Sequence, residues 1–144
     1  MDETAFRQKL SGMIERPCTF EKAILARCVE CKRSERIQIA EREAVACQNQ
    51  ASLSRCTSLH GHLRHGFAFA LKNVREDAAL SHAQEMRVQC GGLLGLQHVF
   101  NGNAEVGNAD ALLESVLQRW GELAALPYSE VVHAAVLCFK GRHS

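Results

Sequence analysis

The sequence predicts an all-α fold, a single-domain helical bundle of five to seven helices with a Cys-rich interior. Three observations carry that expectation. Apolar residues recur at steps of three and four along most of the chain, the spacing of helices buried on one face. Only 2 prolines and 6 % aromatics accompany abundant Ala, Leu, Glu, Gln and Arg, a balance that favours helix over strand. Most of the 7 cysteines fall on the apolar stripes. A length of 144 residues suits one domain, spanning 1–144, with a sizeable core.

A first helix is expected over 3–15, capped by Asp2, with Phe6, Leu10, Met13 and Ile14 at helical spacing. Pro17 ends it. Thr19 can cap a second helix whose stripe is Phe20, Ile24, Cys28 and Cys31. On that helix both thiols of "CVEC" project the same way, because residues three apart are neighbours. A third helix is expected from about Ser34, with Ile37, Ala40, Ala44 and Cys47 on one face. The polar run "CQNQASLS" follows, and then Leu53, Cys56, Leu59 or His60, Leu63, Phe67, Ala70 and Leu71 resume the pattern.

Whether 34–73 is one helix or two is open at this level. Cys56 lies nine positions after Cys47, about 900° on an unbroken helix, which places them on opposite faces. A turn near Asn49 to Ser52 would let them converge.

"NVREDAAL" reads as a polar link. Ser81 with Gln84 makes a capping box for a helix to about Val99, with Met86, Cys90, Leu93 or Leu94, and Gln97 inward. "NGNAEVGNAD" is a loop by composition. Asn108 or Asp110 starts the next helix, which buries Leu112, Leu113, Val116, Leu117, Trp120 and Leu123 and breaks at Pro127. Ser129 caps the last, with Val131, Val132, Ala135, Cys138 and Phe139 inward.

Function is sought among the cysteines. The start of the chain has no secretory pattern and no apolar stretch is long enough to span a bilayer, so a soluble, cytoplasmic protein is expected. In that compartment thiols stay reduced and a disulfide framework is not expected. Five of the seven cysteines fall between residues 18 and 56. One C-x2-C without a second does not make a zinc ribbon. Four thiolates from several helices can hold an iron–sulfur cluster, and Cys28, Cys31, Cys47 and Cys56 are the economical set, with Cys18 as a substitute metal ligand. Lys32, Arg33 and Arg36 would offset the charge. Zinc on the same thiolates is the alternative cofactor.

The leading expectation is thus an iron–sulfur electron carrier, redox sensor or accessory factor of a redox enzyme, with that enzyme as protein partner. The alternative is a metal-free or zinc-stabilised adaptor that binds another protein. Cysteines also pack as small apolar residues, and that reading needs no metal. An enzyme with a reactive thiol is the third class, although no catalytic residue is singled out. A thioredoxin-like role for "CVEC" lacks its βαβ context.

A net charge of +1 gives no field for nucleic acid or an anionic membrane, and neither partner is expected. Among His60, His62 and His65, the last two share a helical face and could bind a metal together, but the stretch reads better as a solvated basic surface with Arg55, Arg64 and Lys72. Gly91, Gly92 and Gly95 inside a helix point to close helix approach, or to space for a cofactor beside Cys90. Without a preceding strand they are not a dinucleotide motif.

Overall fold

The computed structural model describes residues 14–71 and 78–139. It is mostly helical, with one two-stranded sheet. The order is α1 (Glu21–Leu25), β1 (Ser34–Ile39), β2 (Arg42–Cys47), α2 (Gln50–Leu71), α3 (His82–Met86), α4 (Gly92–Asn101), α5 (Ala109–Trp120) and α6 (Tyr128–Phe139). The helix expected over 3–15 lies outside the described residues except at its end, where Ile14 is buried.

Two expectations fail between residues 26 and 47. The second helix stops at Leu25 and never reaches the CVEC pair. Arg27 adopts φ 63°, its N–H donates to Ile24 O at 3.0 Å, and Cys28 N–H donates to Ala23 O at 3.0 Å. Those two bonds form a Schellman cap. Glycine usually holds the left-handed position, and an arginine there gives no stop signal in the sequence.

The second failure is the third helix. Residues 34–47 form an antiparallel hairpin in which Ser34 faces Cys47 and Ile39 faces Arg42. Its turn, Ala40–Glu41, puts Ala40 at φ 57° without the Asn-Gly or Asp-Gly that marks such turns. Alternation then sorts the side chains. Ile37, Ile39, Ala44 and Ala46 share one face and join Ile14 in a small apolar cluster. Val45 faces the other way, into the main core. Residues 16–18 run along the free edge of β2: Cys18 N–H donates to Val45 O at 2.9 Å and Cys47 N–H to Arg16 O at 2.7 Å.

The helical half follows the sequence more closely. The break expected near Asn49 is present, and α2 starts at Gln50 with Ser52 N–H donating to Asn49 Oδ1 at 2.9 Å. Ser81 and Gln84 make the expected capping box. From there the chain stays helical to Asn101, but Arg87–Gly91 takes the wider turn of a π-helix. Helix α5 ends at Trp120, ahead of Pro127, because Gly121 takes φ 89°.

Helices α4 and α6 pack most extensively. A Cβ on Gly95 would meet Val131 O, and it would lie 2.8 Å from Ala135 N. Close helix approach therefore accounts for that glycine. The core joins Phe20, Val45, Leu59, Leu63, Phe67, Leu93, Leu113 and Val132 across the hairpin and the helices. The Cys-rich interior is not found: only Cys90 is fully buried, and Cys18, Cys28, Cys31, Cys56 and Cys138 are partly exposed against the core. No helix among the described residues is long and apolar enough to cross a membrane.

Candidate functional site

The CVEC segment is extended. Glu30 N–H donates to Val106 O at 3.0 Å, and Ala109 N–H donates to Glu30 O at 2.8 Å, so the segment runs beside the loop before α5. On an extended chain, residues three apart point to opposite sides, the reverse of the helical expectation. Cys28 accordingly turns to Cys90 and forms a disulfide, with the Cα atoms 5.8 Å apart. Cys31 lines a cavity on the other side. This one bond departs from the expectation that the thiols stay reduced, and Cys28 takes the place beside Cys90 that the alternative, cofactor reading of the nearby glycines requires.

The cavity is lined by Cys18, Cys31, Cys47 and Cys56, with Arg33, Ser52 and Asp110 among its other walls. Each thiol comes from a different element. Cys18 sits on the strand-like edge before α1. Cys31 opens a turn in which Ser34 N–H and Oγ donate to Cys31 O at 3.2 and 2.7 Å. Cys47 ends β2, and its Sγ donates to Asn49 O at 3.2 Å. Cys56 lies in the second turn of α2. The cavity is small, about 20 Å³, room for about one water molecule and far below the usual size of small-molecule pockets (~300–1,000 Å³).

Burial pushes the Cys18 thiol from 9.0 up to about 12, aided by neighbouring Cys31 and Cys47. It raises Cys56 to about 12 as well, with Cys18, Cys31 and Cys47 adding to the effect. Both stay protonated at neutral pH, which makes them weak nucleophiles.

Asp110 anchors one wall, its side chain 8 % exposed. Burial pushes its carboxyl up, but hydrogen bonds from Ser52, Arg55 and Arg33 outweigh that and hold it below the usual range. Arg55 Nη2 lies 3.0 Å from Oδ1 and Arg33 Nε 3.4 Å from Oδ2. Of the cations expected to balance a cluster, Arg33 is therefore committed to Asp110, and Arg36 bonds Glu43 and Ile24 O.

The expected cofactor is not supported. Among the described residues no group of three or more His, Cys, Asp or Glu side chains could hold a metal ion. Cys28 is locked to Cys90, and the four remaining thiols share a cavity wall without converging as a ligand set. The iron–sulfur cluster and the zinc alternative both fall on this finding.

The histidines also go separate ways. His60 Nε2 lies 2.5 Å from Glu85 Oε1, and His62 stacks on Tyr128 at 5.4 Å. Glu85 is held below the usual carboxylate range by its bond to His60, against the effect of burial. Gln89 Nε2 donates to Glu85 at 3.0 Å, and Gln89 Oε1 accepts from Ala23 N–H at 3.2 Å. This polar chain ties α2, α3 and α1 together beside Cys90.

Sequence reasoning missed Cys90 as the partner of Cys28, and Asp110 as an anchor. Nothing in the spacing marks the first, since the two lie 62 positions apart. The second carried a signal: an acidic residue in the first turn of an amphipathic helix, on its apolar side. No family model, no curated protein and no solved structure matches the chain.

Proposed function

We propose that this chain is a metal-free, thiol-based redox sensor or an accessory of a redox enzyme, working through disulfide exchange. The observation that supports it is the Cys28–Cys90 bond, which ties the hairpin end of the chain to the π-helical turn Arg87–Gly91. Disulfides in a reducing compartment are mostly transient, catalytic or sensing, so a cytoplasmic setting makes this bond a switch. Cys90 is 0 % exposed. Opening the bond therefore leaves a free thiol in the core and loosens the segment that carries Cys31.

Equilibrating the protein with glutathione redox buffers, trapping the thiols and mapping peptides tests this reading. A Cys28–Cys90 midpoint between about −300 and −150 mV, with a change in amide exchange over residues 28–47, is expected. A bond that persists well below about −300 mV is structural and sinks the sensor reading. A pair that never oxidises sinks it too.

An adaptor role without metal is the second reading. Phe69 on α2 and Leu137 on α6 are 79 % and 77 % exposed, which favours contact with another protein. Replacing both with Ser should weaken binding to such a partner and leave the fold intact.

A further inference from the structure

The cavity holds four thiols that the Cys28–Cys90 switch does not use. Contacts made by the adjoining residues group them two and two. Thr19 Oγ1 and Thr57 Oγ1 are hydrogen bonded at 2.9 Å, which fastens together the residues that directly follow Cys18 and Cys56. Ser34 faces Cys47 across the hairpin, and the turn from Cys31 to Ser34 brings Cys31 back to that same end. Gln48 N–H donates to Arg33 O at 2.8 Å and closes this corner. Cys47 ends β2 and Cys18 lies on the segment paired along its free edge, and all four thiols line the same cavity.

We propose that this cavity is a second, four-thiol redox site, in which a low-molecular-weight disulfide oxidises Cys18 with Cys56 and Cys31 with Cys47. The proposal deepens the redox reading above and rests on it for its biological meaning only. Each step is an exchange. One thiol loses its proton to water, and its sulfur attacks the small disulfide, forming a mixed disulfide and releasing one thiolate, which takes up a proton. The neighbouring thiol then attacks the protein-side sulfur, forming the intramolecular bond and expelling the second small thiol. Two protein thiols are oxidised and one small disulfide is reduced to two thiols. The cavity is too small to retain a bulky mixed adduct, which favours the second step.

The Cys28–Cys90 bond is closed while the four cavity thiols are free, so the cavity is the later of the two to oxidise. The chain then reports oxidation in two stages.

The test uses the full chain and oxidised glutathione as the probe. Aliquots along a series of glutathione ratios are acid-quenched, alkylated with a mass tag and weighed intact, then digested for peptide mapping. The count of free thiols should fall from the full 7 in the sequence, through the Cys28–Cys90 stage, to Cys138 alone. Cross-linked peptides should join Cys18 to Cys56 and Cys31 to Cys47. A cavity that keeps its four thiols free at the most oxidising ratio overturns the proposal. So does a stable glutathione adduct in place of the internal bonds, or a different pairing. The double variant Cys28→Ser, Cys90→Ser separates the two readings. If its cavity still closes, the second site stands even where the first switch has failed.

Discussion

Cys28 is bonded to Cys90 across 62 residues, with their Cα atoms 5.8 Å apart. The bond joins the end of a Schellman cap to a π-helical turn, two backbone features that each place a thiol where a regular helix would not. It closes a loop that contains the hairpin and all of α2.

Closing a loop of that length restricts the unfolded chain by about 4 kcal/mol on the chain-entropy account. The reduced protein is therefore expected to be less stable by up to about that amount, and to melt roughly 10 °C lower. Calorimetry with and without a strong reductant checks this. The variant Cys28→Ala with Cys90→Ala should melt near the reduced protein and no longer respond to reductant.

Glycines of α2 and α4 should respond oppositely to alanine. A Cβ on Gly95 would meet Val131 O and would lie 2.8 Å from Ala135 N, and backbone cannot yield easily. Gly95→Ala should cost about 1–3 kcal/mol by forcing α4 and α6 apart. Gly61, in the middle of α2, has nothing within 4 Å of such a Cβ. Gly61→Ala should gain up to about 1 kcal/mol through helix propensity alone. Urea unfolding of the two variants reads both effects.

Arg27 and Ala40 explain why the sequence misled over residues 26–47. Each holds a left-handed conformation, at φ 63° and 57°, that glycine or asparagine usually marks. Without those marks, Phe20, Ile24, Cys28 and Cys31 fall at helical spacing by coincidence, and Ile37 to Cys47 reads as a helical stripe as readily as a hairpin. Where punctuation is ordinary the reading holds: Ser81 and Gln84 cap as expected, and Leu112, Leu113 and Val116 are buried. The site was legible in membership more than in arrangement. Three of the four expected cluster cysteines line the cavity together with Cys18, but an extended CVEC segment turns Cys28 away.

Relieving either left-handed residue should therefore stabilise the fold. Arg27→Gly and Ala40→Gly each remove a backbone penalty of about 1–2 kcal/mol, and each loses part of that gain to the greater freedom of glycine when unfolded. A net gain below about 1 kcal/mol is expected for either variant. A loss would mean that the side chain, and not the turn, holds the position.

Asp110 makes the cavity wall sensitive to acid. Its carboxyl is held below the usual range despite burial, through Ser52, Arg55 and Arg33. A depressed carboxyl stabilises the fold above its unfolded value near 3.8, and the contribution is lost as pH falls through the lower folded value. Asp110→Asn should cost about 1–3 kcal/mol at neutral pH and flatten the decline of stability below about pH 4. Measuring unfolding free energy from pH 7 down to pH 2 on both proteins shows whether the wall depends on this charge.

The cavity thiols set the opposite limit, at alkaline pH. Cys18 and Cys56 are each raised from 9.0 to about 12, chiefly by burial. Between those values the unfolded chain has released protons that the folded chain still holds, so the unfolded state binds fewer and stability falls as pH rises. The contribution is fully present below about pH 9 and is lost progressively toward pH 12. Reduced wild-type protein should thus lose stability steeply across that window, while the variant Cys18→Ser with Cys56→Ser should lose less. In the same window the wild-type thiols should become reactive toward an alkylating reagent that barely touches them at pH 7, because only the thiolate attacks. Rapid labelling of Cys18 and Cys56 at pH 7 would instead mean that their wall opens freely, and the alkaline loss should then be absent as well.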